Sequence, residues 1–176
     1  SAVGGQRGLN DAGNEGVGAP GTIFTSVSGV RTLVVDNAAT SSSLVGGYVR
    51  LPASGDGSLA VHTLKIVNSH VHLYYHATIG ATEATNSKVA SLLSVVSQSL
   101  IVTSTEWTAS STMLIVDMRL SGNTWSSAQL ITLTNLTLMN GALLKTSSSA
   151  GLIAERITVG TSCTLRSEST SMAFFA

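Results

Sequence analysis

The apolar residues of this chain arrive in short bursts that alternate with hydroxyl and small polar residues, as in TIFTSV, RTLVVD, SLAVHTLKIV and TMLIVDMRL. Alternation with period two sends successive side chains to opposite faces of an extended backbone, whereas a helix needs an apolar stripe every 3.6 residues. Roughly a quarter of the residues are Ser or Thr. Serine competes for backbone hydrogen bonds and threonine is β-branched, so both disfavour helix interiors. The chain is therefore expected to be all-β, built from many short strands.

Strands are expected near residues 22–27, 31–36, 44–50, 58–67, 70–76, 91–96, 99–104, 112–120, 129–133, 136–139, 142–146, 152–159, 163–167 and 171–175. Between them lie small polar connectors such as PASGDG, ATEATNS and SGNTWSS, whose composition suits turns. The Ser28-Gly29 pair reads as a tight reversal between the first two strands. One stretch, 81–96, could align Ala84, Lys88, Leu92 and Val95 on a helical face, but its Thr and Ser content opposes a stable helix.

A weak internal repeat runs through the set. TLKIVNSHVHL can be laid on SLLSVVSQSLIV, on LITLTNLTLMN and loosely on ERITVGTSCTL, each being strand, polar corner, strand. Offsets of roughly 18 to 30 residues match one coil of a single-stranded right-handed parallel β-helix, in which strands of successive coils stack about 4.8 Å apart. An antiparallel β-sandwich or jelly roll is the alternative, because it also needs short strands punctuated by turns. Asn68 and Asn135 fall at matching polar corners in this alignment, and the apolar parity switches across Asn135, which predicts a bend there.

Length and charge narrow the function. At 176 residues, with one domain as the natural division, residues 22–176 form the expected solenoid and residues 1–21, holding seven of the 17 glycines, an N-terminal arm. Ordering glycine-rich backbone is entropically costly, so residues 1–19 are expected to be held by a neighbouring subunit. Nine basic and nine acidic residues are scattered singly, so no field gathers nucleic acid, and no apolar run is long enough for membrane insertion. So little charge defends a free surface poorly, which suggests self-association or a sugar coat. The start at Ser1 suggests a processed product or a piece of something longer. Cys163 is the only cysteine, which excludes an internal disulfide.

No constellation of catalytic residues stands out. Gly16 to Gly21 spell G-x-G-x-x-G, but a strand follows where a dinucleotide site needs a helix, so no cofactor is expected. No converging carboxylate pair and no G-x-S-x-G elbow occur, Asp117 and Arg119 reading as an exposed pair on one strand face. His70, His72, Tyr74 and His76 share one face of a predicted strand and read as a packing or interface surface, with no metal site expected because His76 lies too far from His72. Asn135-Leu136-Thr137 is the only glycosylation sequon. The Ser/Thr runs at 40–43 and 146–149 are candidate sites for O-linked sugars in turns.

The glycine run followed by Gly18-Ala19-Pro20-Gly21-Thr22, a strand, and then Thr32-Leu33-Val34-Val35-Asp36-Asn37 resembles a segment of very large secreted proteins built from right-handed β-helix repeats. The resemblance covers about the first 40 residues. It implies an extracellular scaffold in which the glycine-rich piece crosses between coils and the VDN piece ends a strand; the clustered aspartates of pectin-cleaving β-helix enzymes are missing. Two functions follow as expectations. One is a non-enzymatic building block of an extracellular filament, sheath or cell-surface assembly, whose partners are copies of itself and glycans. The alternative is a carbohydrate-binding or adhesin module with Trp107, Trp125 and the Tyr74 row as stacking surfaces for sugar rings.

Overall fold

A computed structural model describes residues 21–36, 49–51, 58–73, 76–147 and 150–168. All described elements are strands. In chain order they are β1 (Gly21–Val27), β2 (Val30–Asp36), β3 (Val49–Leu51), β4 (Ser58–Val67), β5 (His70–Leu73), β6 (His76–Thr85), β7 (Lys88–Ser91) and β8 (Val95–Thr103). Then come β9 (Glu106–Ala109), β10 (Met113–Ser121), β11 (Thr124–Ser127), β12 (Ile131–Met139), β13 (Leu143–Thr146), β14 (Leu152–Val159) and β15 (Thr164–Ser167).

The chain winds as a parallel β-solenoid of about six turns. Long strands stack in the order β1-β2-β4-β6-β8-β10-β12-β14, and short ones in the order β3-β5-β7-β9-β11-β13-β15. Every coil thus contributes one long and one short strand, and the sandwich alternative is excluded by the parallel pairing. Ala77 pairs with Val95 and Val95 with Met113, so one turn is 18 residues through the centre of the molecule.

The long strands β4, β6, β8, β10, β12 and β14 bend in the middle. In β10, Met113 and Ile115 are buried before the bend and Met118 and Leu120 after it, so the alternation slips by one residue. The ladder records the slip, pairing Ile115 with Leu133 and Asp117 with Asn135 while leaving the intervening residues unmatched. One residue of each strand drops out of the pairing together, which keeps the register while the strand turns and its inward side chains are re-aimed. The bend expected at Asn135 is therefore present, and it recurs in β6, β8 and β10.

The sharper corner between long and short strands has a different cause. Asn68, Asn86, Ser104, Gly122 and Asn140 follow one another at the 18-residue step, and all five have positive φ, from 47° to 57°. That left-handed conformation is one that glycine enters freely and asparagine better than most residues, which explains the recurrence of these types. Asn135 is not the counterpart of Asn68, contrary to the sequence alignment. It lies within a continuous strand, and the two strands expected around it are the single β12.

Just past that corner a buried column of hydroxyls binds coil to coil. Ser87 Oγ accepts from the backbone N–H of Ser69 (3.1 Å) and donates to the carbonyl of Thr85 (2.7 Å). Thr105 Oγ1 repeats this one coil on, accepting from the N–H of Ser87 (3.2 Å) and donating to the carbonyl of Thr103 (2.9 Å). Backbone groups that no ladder reaches at the corner are thereby satisfied. Inside, columns such as Leu64-Thr82-Leu100-Met118-Leu136 run parallel to the axis with every member buried. Full burial of each aliphatic side chain stabilises by about 1.5–3 kcal/mol.

At the N-terminal end β1 runs antiparallel to β2, joined through Ser28 (φ 49°) and Gly29 (φ 81°). Two consecutive positive φ values form the hairpin turn that matches strand twist, as the sequence led us to expect. Residues 81–96 hold β6, β7 and the start of β8 in place of any helix. The arm before Gly21, Tyr74, the 40–43 run and the strand expected at 171–175 lie outside the described residues.

Candidate functional site

Two places depart from the regular repeat in ways that bear on function: the last described coil and the outer face of β5.

In the last coil, Leu152, Ala154, Ile157, Cys163 and Leu165 occupy inward columns but are only partly buried. Their counterparts one coil earlier, Ile131, Leu133, Leu136, Ala142 and Leu144, are 0–4% exposed. Val159 continues the column of Leu120 and Leu138, each fully buried, yet is 49% exposed. β14 and β15 are the outermost strands of the two sheets, so one edge of each has no described strand beside it. The opposite end of the long-strand sheet differs, since the β1–β2 hairpin closes the parallel ladder with an antiparallel strand.

On the outer face of the short-strand sheet, β5 presents His70 and His72, both half-buried, with Val71 and Leu73 buried beneath. Alternate residues of a strand stand about 6.5–7 Å apart along the backbone. The two rings lean together across that gap until their Nε2 atoms are 3.1 Å apart, with centroids at 4.8 Å and an interplanar angle of 71°. In the next coil Lys88 stands in register with His70 and the small Ala90 with His72. Lys88 Nζ is 3.4 Å from Glu106 of the following coil. Burial, with a smaller contribution from the Lys88 charge, holds the His70 imidazole below the usual histidine range and favours its neutral form.

The histidine row expected from alternation is divided. His76 belongs to β6 in the other sheet, where its Nδ1 meets Ser94 Oγ. His62, in β4, accepts the backbone N–H of Arg31 on Nδ1 (3.0 Å) and so helps hold the hairpin. Only His70 and His72 of the expected row are brought together among the described residues.

Trp107 and Trp125 are not sugar-stacking surfaces. Both are fully buried at equivalent positions of β9 and β11, with rings stacked at 4.8 Å and 17°. The polar sequences around them suggested loops, but in TEWTA and NTWSS the polar residues are the outward half of an alternation, apart from Thr105, Asn123 and Ser127, which are buried. Asn135 is half-buried at the bend, and its Nδ2 donates to Asp117 Oδ1 one coil earlier, so Asp117 pairs with Asn135 rather than with Arg119. Among the described residues no three His, Cys, Asp or Glu side chains gather as a metal-binding group. No protein-family model, curated protein or solved structure matches the chain.

Proposed function

We propose that this chain is a non-enzymatic structural unit that extends end to end into a filament, sheath or surface assembly outside the cell. The single observation that carries the reading is the partly exposed core of the last described coil, Leu152, Ala154, Ile157, Leu165 and the half-exposed Val159, on two strands that have no described strand on their outer edge. In a solenoid each coil is stable because its neighbour covers it, and an uncovered coil offers apolar surface and unpaired backbone groups together. The two ends differ, so a contact between them is heterologous and propagates into a fibre unless its rotation closes a ring. The low charge supports this reading, as does the resemblance of the first 40 residues to secreted β-helix repeat proteins. A glycan on Asn135 fits the same setting, at the outer bend of β12.

Sedimentation and electron microscopy across a concentration series test the proposal, with Val159→Lys as the comparison. The expected result is concentration-dependent rods for the natural chain and monomers with unchanged β circular dichroism for the variant. A natural chain that stays monomeric and globular at high concentration would sink it.

A further inference from the structure

We propose that His70 and His72 form a two-histidine site for a divalent transition-metal ion on the outer face of β5, with water completing the coordination. Nitrogen ligands sit about 2.0–2.1 Å from such an ion, which separates two of them by about 3.3–3.4 Å at a tetrahedral angle and about 2.8–3.0 Å across a right angle. The observed Nε2···Nε2 distance of 3.1 Å lies between these values. Converging the rings on one point is the chemically informative feature, because side chains two apart on a strand point outward in parallel unless something joins their tips.

Without metal, that join is a hydrogen bond in which one Nε2–H donates to the other Nε2. A metal ion takes both lone pairs, and the ring that had donated carries its proton on Nδ1 instead. No proton is lost from the neutral pair. In register with His72 stand the small Ala90 of the next coil and Arg50 of the preceding one, and Glu106 sits close to the Lys88 ammonium, offsetting its charge. Imidazole pairs of this kind prefer Cu²⁺ over Ni²⁺ and Zn²⁺, in line with the general affinity order of divalent ions.

The test uses the full chain, purified without an added histidine tag, stripped with chelator and titrated with CuSO₄ and separately with ZnCl₂ by calorimetry. One ion per chain is expected, with Cu²⁺ the tighter, and His70→Ala or His72→Ala should each weaken binding at least about tenfold, since even the loss of a hydrogen-bond partner behind a metal ligand costs about 10–100-fold. His62→Ala and His76→Ala should leave it unchanged. Ring-proton NMR of the natural chain during the Zn²⁺ titration supplies a readout that needs no variant: shifts confined to two histidines, identified as His70 and His72, support the site. Absence of saturable one-ion binding, or equal binding by the His70→Ala/His72→Ala double variant, overturns it.

Discussion

Trp107 and Trp125 occupy the same position one coil apart and stack on each other, yet only Trp107 has a partner for its ring N–H, Ser91 Oγ at 3.2 Å. The position that Ser91 fills for Trp107 is filled for Trp125 by Ala109, its in-register successor, and the Trp125 Nε1 is buried without a partner. Restoring the hydroxyl with Ala109→Ser should stabilise the fold by about 1 kcal/mol, the net value of a buried hydrogen bond. Urea unfolding, with an unchanged denaturant slope, measures it. The reciprocal Ser91→Ala leaves the Trp107 donor unmet and should cost about 1–3 kcal/mol. A lower midpoint for Ala109→Ser would show that the core has no room for the added oxygen.

Thr82 stands in a buried column between Leu64 and Leu100, and its Oγ1 is without a hydrogen-bond partner. Replacing that hydroxyl by a methyl of similar size removes an unmet polar atom, so Thr82→Val should raise stability by about 1–2 kcal/mol. Thermal unfolding would register the gain, and a fall in midpoint would mean that this hydroxyl is satisfied.

Gly80 lies at the bend of β6, where a Cβ would come 2.6 Å from the carbonyl oxygen of His62. The obstacle is backbone, which cannot swing aside as a flexible side chain would. Gly80→Ala should therefore lower stability by about 1–3 kcal/mol through overpacking, measured by chemical denaturation. Unaltered stability would mean that the bend relaxes at no cost.

Gly122 tests the corner separately from packing. Its φ is +57°, while an added Cβ would meet nothing closer than the Asn140 carbonyl oxygen at 3.5 Å. The penalty for Gly122→Ala is then conformational, about 1–2 kcal/mol for a left-handed residue. Gly122→Asn should lose less, since Asn68, Asn86 and Asn140 adopt φ of 48°, 47° and 53° at the same corner. Equal losses for both variants, compared by thermal melts, would show that residue type does not shape this corner.

Alternation alone was enough to place β2, β4, β10 and β14, and the Ser28-Gly29 pair to place the hairpin, because strand parity and turn chemistry are local properties written in neighbouring residues. The coil was legible as a loose repeat, but its 18-residue step was not. The corner that sets the step accepts Asn, Ser or Gly alike, so the signal is a backbone angle rather than a letter. β7, β9 and β11 escaped notice because four-residue strands such as KVAS, EWTA and TWSS bury only two side chains each. Their strand character comes from the coils stacked on either side. The same stacking took Trp107 and Trp125 out of reach of a ligand, and His76 fell in the other sheet, apart from His70 and His72. Local sequence determines which way a side chain points along its own strand; what it meets there depends on residues 18 positions away, and only the wound chain brings those into contact.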